Sequence, residues 1–140
     1  MGAKTLTKTS ITTEGAADVL RAATEKAVAM GVPMCIAIVD ESGVLKAFSR
    51  MDGAPMLSVD LAKDKAYTAA AYGIATHVWF DFIKDDPPLL HGIIKTPRLI
   101  VFGGGYPIQA DGAVVGAIGV SGGHYKQDME VAEAGLAALA

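Results

Sequence analysis

The chain has 140 residues, of which 51% are hydrophobic and 19% charged, and its formal net charge is −3. A chain of this length folds as one domain, and we expect residues 1–140 to form a single domain in which residues 1–10 are an N-terminal arm or edge strand. The lack of a basic block argues against nucleic acid and membrane surfaces as partners, and the low charged fraction predicts a homo-oligomer that covers apolar surface.

The first ten residues, MGAKTLTKTS, lack the apolar stretch of a secretory signal, and no apolar run reaches the length of a membrane span. Cys35 is the single cysteine, so an internal disulfide is excluded. These features predict a cytoplasmic protein.

The first half of the chain predicts a helix, a hairpin and a second helix. Thr12 is placed to cap a helix that continues to Met30 and stops at Gly31. Two apolar runs follow, Met34–Val39 and Val44–Arg50, and the short polar turn between them predicts a β-hairpin. We then expect Ser58 to cap an alanine-rich helix that ends at Gly73, and Thr76 to cap a short helix through Ile83.

The second half predicts a sheet and a last helix. We expect residues 89–97 to be irregular, and the stretch 98–123 to be the centre of the fold. This stretch predicts three strands, Arg98–Phe102, Tyr106–Gln109 and Ala113–Val120, with an Asp-Gly turn before the last. A final helix follows Gly123. The order of elements indicates an α+β fold with a five-stranded antiparallel sheet and packed helices.

The three histidines show no metal-binding spacing, so we predict no metal site. A single axial imidazole on haem leaves no sequence pattern. His91 lies in the irregular region and His124 follows a glycine pair, so we name these two as haem axial candidates ahead of His77.

The glycine turn Gly103-Gly104-Gly105 has two interpretations. It is a strand break, or it presents backbone N–H groups to a ligand oxygen. Ser121, at the end of the last strand, lacks the surroundings of a hydrolase nucleophile and is a candidate hydrogen-bond donor to a ligand.

Charged residues are densest between Arg50 and Lys65. They form either a solvated network of ion pairs or an acid-binding pocket. Arg50 offers a bidentate fork to a carboxylate, and Lys65 needs a carboxylate partner or a ligand anion if it faces the sheet. Asp60 and Lys65 are also the candidates for general acid–base catalysis.

Several ordered blocks of the chain resemble the GlcG/HbpS-like family, also called the haem-degrading family. The blocks are AIVD at 37–40, FSRMDGA at 48–54, DLAKDKAYTA at 60–69, VFGGGYPI at 101–108, VGAIGVSGG at 115–123 and QD at 127–128. The resemblance covers about residues 11–138.

The resemblance implies a profilin-like or PAS-like fold, a homo-oligomer and, in some members, haem binding. It supports three hypotheses. The first is a small-molecule-binding protein whose anionic ligand, haem or a small organic acid, is held by Arg50, Lys65, the glycine turn and Ser121. The second is a cofactor-independent catabolic enzyme (isomerase, hydratase or decarboxylase) acting on a small organic acid. The third is an oligomeric accessory protein of a catabolic operon.

Overall fold

The computed structural model describes residues 2–140; Met1, the first residue of the predicted arm, lies outside the described residues. Residues 2–10 are exposed and belong to no described helix or strand. The elements that follow are α1 Thr13–Met30, β1 Cys35–Asp40, β2 Leu45–Arg50, α2 Leu57–Tyr72, α3 Val78–Ile83, α4 Pro87–Gly92, a 3₁₀ turn Ile93–Lys95, β3 Gly105–Ala110, β4 Ala113–Ser121 and α5 Tyr125–Ala137.

Within residues 2–140 the strands form one four-stranded antiparallel sheet in the order β2-β1-β4-β3. The register places Cys35 opposite both Arg50 and Ser121, and Gly105 opposite Gly119. The ends of β2 and β4, the start of β1 and the start of β3 therefore lie at the same end of the sheet.

Helices cover both faces of the sheet. Alternate residues of the central strands point in opposite directions, so each face contributes its own set of side chains to a core. Ile36 and Ile38 pack with residues of α1 and α5. Cys35, Ala37 and Val39 pack with the buried alanines of α2. Gly119 lies directly beneath α2, where a Cβ atom would be 2.5 Å from the backbone nitrogen of Ala66. Small residues on both sides thus bring α2 close to the sheet.

The predicted ends of α1 are confirmed. The Thr12 hydroxyl accepts a hydrogen bond from the Gly15 N–H at 2.9 Å, and Gly31 ends the helix with φ +70°. Two other predicted caps are wrong, because Ser58 lies inside α2 and its hydroxyl donates to the Pro55 carbonyl. Thr76 precedes α3 by two residues and instead accepts the Gly105 N–H.

The predicted strand Arg98–Phe102 is wrong, which reduces the expected five strands to four in the described chain. The Thr68 hydroxyl takes the place of a neighbouring strand: it donates to the Arg98 carbonyl at 2.9 Å and accepts the Ile100 N–H at 3.0 Å. Arg98 also has φ +68°, which interrupts an extended backbone.

The expectation that residues 89–97 are irregular is wrong for residues 89–95, which are helical. α4 begins at Pro87, where proline's missing N–H costs nothing in the first helical turn. The 3₁₀ turn continues directly from it. Among the helices of residues 2–140, none combines the length and apolarity that crossing a membrane requires.

Candidate functional site

Lys65 is the largest fully buried side chain of the described residues, with 0% exposure. It lies on the stripe of α2 that faces the sheet, between Ala62 and Ala69. Its Nζ donates to the Val120 carbonyl at 2.9 Å and to Asp128 Oδ2 at 2.9 Å. Lys65 therefore has the carboxylate partner that a sheet-facing position demanded, and that partner is supplied by α5.

Asp128 lies in the first turn of α5, where its negative charge also interacts favourably with the helix dipole. Its Oδ1 accepts the Gly123 N–H at 3.0 Å. Burial lowers the pKa of Lys65 and raises the pKa of Asp128, and their mutual attraction opposes both shifts. The pair thus joins α2, β4 and α5 in a position without solvent.

The glycine turn packs against this ion pair. Gly104 has φ +125°, and a Cβ atom there would lie 2.6 Å from the Val120 carbonyl oxygen and 2.8 Å from Lys65 Nζ. The Gly105 N–H already donates to Thr76 Oγ1 at 2.9 Å. A Cβ atom on Gly103 would meet Met129 Sδ at 2.5 Å. The glycines are required because backbone and lysine approach so closely here.

An aromatic groove of about 300 Å³ opens beside the ion pair. The residues that line this aromatic groove are His77, Phe80, Asp81, Val101, Phe102, Gly103 and Tyr125. The Phe102 ring separates the groove from Lys65, whose Nζ lies 5.0 Å from the ring centroid. The groove therefore combines apolar walls, one imidazole and a buried ion pair behind an aromatic ring.

The imidazole in the groove belongs to His77. Its ring lies 5.5 Å from that of Tyr106, whose hydroxyl donates to Glu133 Oε1 at 2.7 Å. His124 adjoins the groove through Tyr125, with ring centroids 4.3 Å apart, and its Nδ1 caps α5 by accepting the Lys126 N–H.

His91 is exposed on α4, outside the residues that line the groove. The structure thus reverses the expected order in which the histidines face a pocket. Which of them ligates haem stays a prediction.

The structure brings some of the remaining predicted site residues together and leaves others apart. Lys65, the glycine turn and Ser121 meet at the end of β4. Arg50 lies in the same row of the sheet as Ser121 with β1 between them, a separation of about 10 Å at the Cα atoms. Asp60 is exposed and points about 140° away from Lys65 around α2, so the structure does not bring these two together.

Residues 2–140 contain no group of three or more His, Cys, Asp and Glu side chains arranged to hold a metal ion.

Three participants were not identified from the sequence: His77, Phe102 and Asp128. Phe102 belonged to a predicted strand, and Asp128 lies 63 residues from its partner, a separation that carries no spacing pattern. His77 precedes the aromatic residues Trp79, Phe80 and Phe82, and a histidine beside several aromatic residues was the available indication of a pocket.

Comparison with known proteins gives consistent matches. The family model described as haem degrading protein HbpS-like matches residues 11–137. Corrinoid adenosyltransferase PduO of Salmonella typhimurium is 38% identical over 121 residues, which are 85% of this chain but 36% of PduO. The chain thus spans about a third of that relative.

Solved structures agree with the fold. Klebsiella pneumoniae protein ORFY superposes with a TM-score of 0.93 at 31% identity, covering 99% of this chain and 96% of ORFY. The structure of a PduOC–haem complex superposes with a TM-score of 0.85 at 36% identity, covering 92% and 94% of the two chains.

Proposed function

Because this chain belongs to the HbpS-like family of haem-degrading proteins, we propose that it binds haem in the aromatic groove, with His77 as the axial ligand. The observation that carries the proposal is the position of the His77 imidazole among apolar and aromatic walls. The haem bound by PduOC, a structural neighbour, supports it.

The side chains of the aromatic groove fit the ring of haem. Phe80, Phe102 and Tyr125 are each between 40% and 53% exposed, so flat apolar surface is available for a porphyrin to cover. The ring of His77 packs against that of Tyr106, with the two centroids 5.5 Å apart. An imidazole so placed supplies the proximal ligand that many haem proteins use.

The carboxylates of haem need donors or cations at the edge of the groove. Lys65 lies behind Phe102 and is neutralised by Asp128, so a propionate reaches it only if the Phe102 ring moves. Lys84 lies closer to the surface, where it pairs with Asp81 of the groove at 3.1 Å. We propose that the propionates point to this exposed edge, where a charged group keeps its hydration.

The test is a haemin titration followed by the Soret band. We expect saturation at one haem per chain in the wild type. His77→Ala should shift the Soret maximum and weaken affinity at least tenfold, because the axial bond is lost. His91→Ala is the matched control: it removes a histidine outside the groove and should leave the spectrum unchanged.

His124→Ala separates the two candidates that adjoin the groove. A spectral change in His124→Ala but not in His77→Ala would identify His124 as the axial ligand and contradict our assignment. A weak, unsaturable shift that no histidine substitution alters would contradict haem binding itself.

A second candidate ligand is a small organic acid, bound at the same end of the sheet but near Arg50 and Ser121, at the ends of β2 and β4. The strand register points Arg50 and Ser121 to the same face. Ser121 is only 5% exposed and lines a groove of about 170 Å³ together with Ser58 and Gly123. A guanidinium and a hydroxyl at this spacing suit a carboxylate.

This second candidate is tested by calorimetric titration with small carboxylic acids. Arg50→Ala should abolish binding of any acid held here and leave haemin binding intact. Turnover of a bound acid that Lys65→Met or Asp60→Asn abolishes, with the fold retained, would favour the enzyme hypothesis. Absence of binding to every acid and to haemin would leave the oligomeric accessory role.

A further inference from the structure

The first turn of α2 and the end of β4 face each other across the groove of about 170 Å³ that Ser121 lines. We call it the serine groove. The residues that complete its lining are Pro55, Leu57, Ser58, Leu61, Gly122 and Gly123. Within residues 2–140 no charged side chain lines it. Its volume is about that of six water molecules, which is room for a short-chain organic molecule.

Ser121 contributes a hydroxyl that lacks a partner. Gly119, two residues earlier on β4, lies directly beneath α2, so the alternation along the strand turns the Ser121 side chain towards α2 as well. Ser121 is 5% exposed, and its hydroxyl forms no hydrogen bond within residues 2–140. Unlike the indole nitrogen of Trp79, this hydroxyl is not closed off from solvent. A ligand in the serine groove can therefore reach it.

The N-terminus of α2 supplies a second donor. Met56 precedes the helix, and its side chain does not cap it. The N–H of Leu57, the first residue of the helix, has no acceptor within the part of the chain that the structure describes, whereas the next two N–H groups donate to the carbonyls of Pro55 and Met56. A free N–H at the positive end of the helix dipole favours an anion.

The charges around the serine groove favour a ligand with a single negative charge. Arg50 is directed to this face by the strand register and forms no ion pair within residues 2–140, so it is available to balance one charge. Asp60, exposed in the first turn of α2, opposes a second one. A dianion would keep one charge without a partner, which is costly once the charge leaves water.

Resting on the second candidate ligand named above, we propose that the serine groove selects small monocarboxylates. One carboxylate oxygen accepts a hydrogen bond from the Ser121 hydroxyl and the other from the Leu57 N–H, while Arg50 balances the charge. The two donors match the two oxygens of the carboxylate, and Pro55 and Leu61 contact the hydrocarbon part. The start of α2 is thereby part of the site, and dianions are poor ligands.

Calorimetric titrations with butyrate, butyramide and sulfate test the class of ligand. Butyramide has the size and shape of butyrate without its charge, and sulfate carries two charges. Butyrate should bind about tenfold more tightly than either, because hydrogen bonds to a charged group are stronger than those to a neutral one and a dianion keeps an unbalanced charge. In ¹H–¹⁵N spectra the Leu57 amide should shift downfield and saturate with butyrate.

A variant of Ser121 tests the location. Ser121→Ala removes one donor and should weaken butyrate binding about tenfold. The variant should keep its stability, because the lost hydroxyl has no partner in the protein. Ser49→Ala is the matched control. The alternation along β2 turns Ser49 to the face opposite that of Arg50, so this variant should bind butyrate as the wild type does.

Sulfate binding as tight as that of butyrate would overturn the proposal. So would a Leu57 amide that does not move at saturation, or wild-type affinity in Ser121→Ala. If butyrate binding is lost in Arg50→Ala but not in Ser121→Ala, this proposal fails and the second candidate ligand stands. Absence of binding by every carboxylic acid contradicts both. None of these outcomes bears on haemin binding in the aromatic groove, so the haem proposal is tested separately.

Discussion

Alanine substitutions at two glycines with positive φ distinguish the cost of steric crowding around Lys65 from the cost of backbone strain. Gly104 and Gly112 have φ +125° and +81°. A Cβ atom at Gly104 would collide with the Val120 carbonyl and Lys65 Nζ, whereas a Cβ at Gly112 meets nothing within 4 Å. Gly112→Ala should therefore cost only the strain, about 1 kcal/mol, and Gly104→Ala about 3 kcal/mol or more.

Urea unfolding of the two alanine variants measures this difference. Equal losses of unfolding free energy would contradict the tight packing of the glycine turn on the ion pair. A loss confined to Gly104→Ala, accompanied by weaker haemin binding, would add that the turn also shapes the aromatic groove.

At the residue scale, the sequence predicts what a side chain requires better than it predicts which residue supplies it. That Lys65 needs an opposite charge followed from its place among alanines on one side of a helix. That the charge is Asp128 did not follow, because the contact depends on how α5 returns across the sheet. Thr68 illustrates the same limit: its hydroxyl binds the backbone of the segment 98–100 and so converts an apolar, strand-like run into a loop.

The Lys65–Asp128 pair joins three elements, and its removal tests how they are held together. Lys65→Met should lower the unfolding free energy by about 3–5 kcal/mol, since it leaves Asp128 buried without a counter-charge. The double variant Lys65→Met/Asp128→Asn should recover most of this loss, because no isolated charge remains. Urea unfolding of all four members of the cycle provides the measurement, and a double variant as unstable as Lys65→Met would contradict the pairing.

The pH dependence of Lys65→Met follows from the same pair. Burial raises the pKa of Asp128, and in this variant no ammonium opposes the shift. The folded state then keeps a proton that the unfolded chain releases above about pH 4, so stability falls as pH rises from there through the raised pKa. Thermal unfolding should therefore show Lys65→Met to be more stable at pH 5 than at pH 7, relative to wild type, and the reverse order would contradict this account.

Element prediction succeeded where a local pattern decides the structure. The caps of α1, the hairpin β1–β2 and the Asp-Gly turn before β4 depend on neighbouring residues, and the structure confirms them. The region between α2 and β3 depends on distant contacts. There, α4 begins at Pro87 and the chain then crosses α2 instead of joining the sheet.

At the scale of the whole molecule, exposed apolar side chains bear on assembly. Met56 and Leu57, at the start of α2, are 84% and 71% exposed. We predict that they are covered by another copy of the chain, as the composition suggests. Sedimentation should give a mass above that of one chain in the wild type and a lower mass in the double variant Met56→Lys/Leu57→Lys.

The matched control for this prediction is Val28→Lys, on α1, which is 64% exposed and should leave the mass unchanged. A wild-type mass equal to that of one chain would contradict the predicted homo-oligomer. An oligomer that persists in Met56→Lys/Leu57→Lys would place the contact on another surface.

The most direct test of the haem proposal is to map the site with gallium protoporphyrin IX, a diamagnetic analogue of haem. ¹H–¹⁵N spectra recorded during titration should show the largest changes at Phe80, Phe102, Gly103 and Tyr125, with saturation at one porphyrin per chain. Changes concentrated at Arg50, Ser58 and Ser121 instead, or spread without saturation, would contradict binding in the aromatic groove.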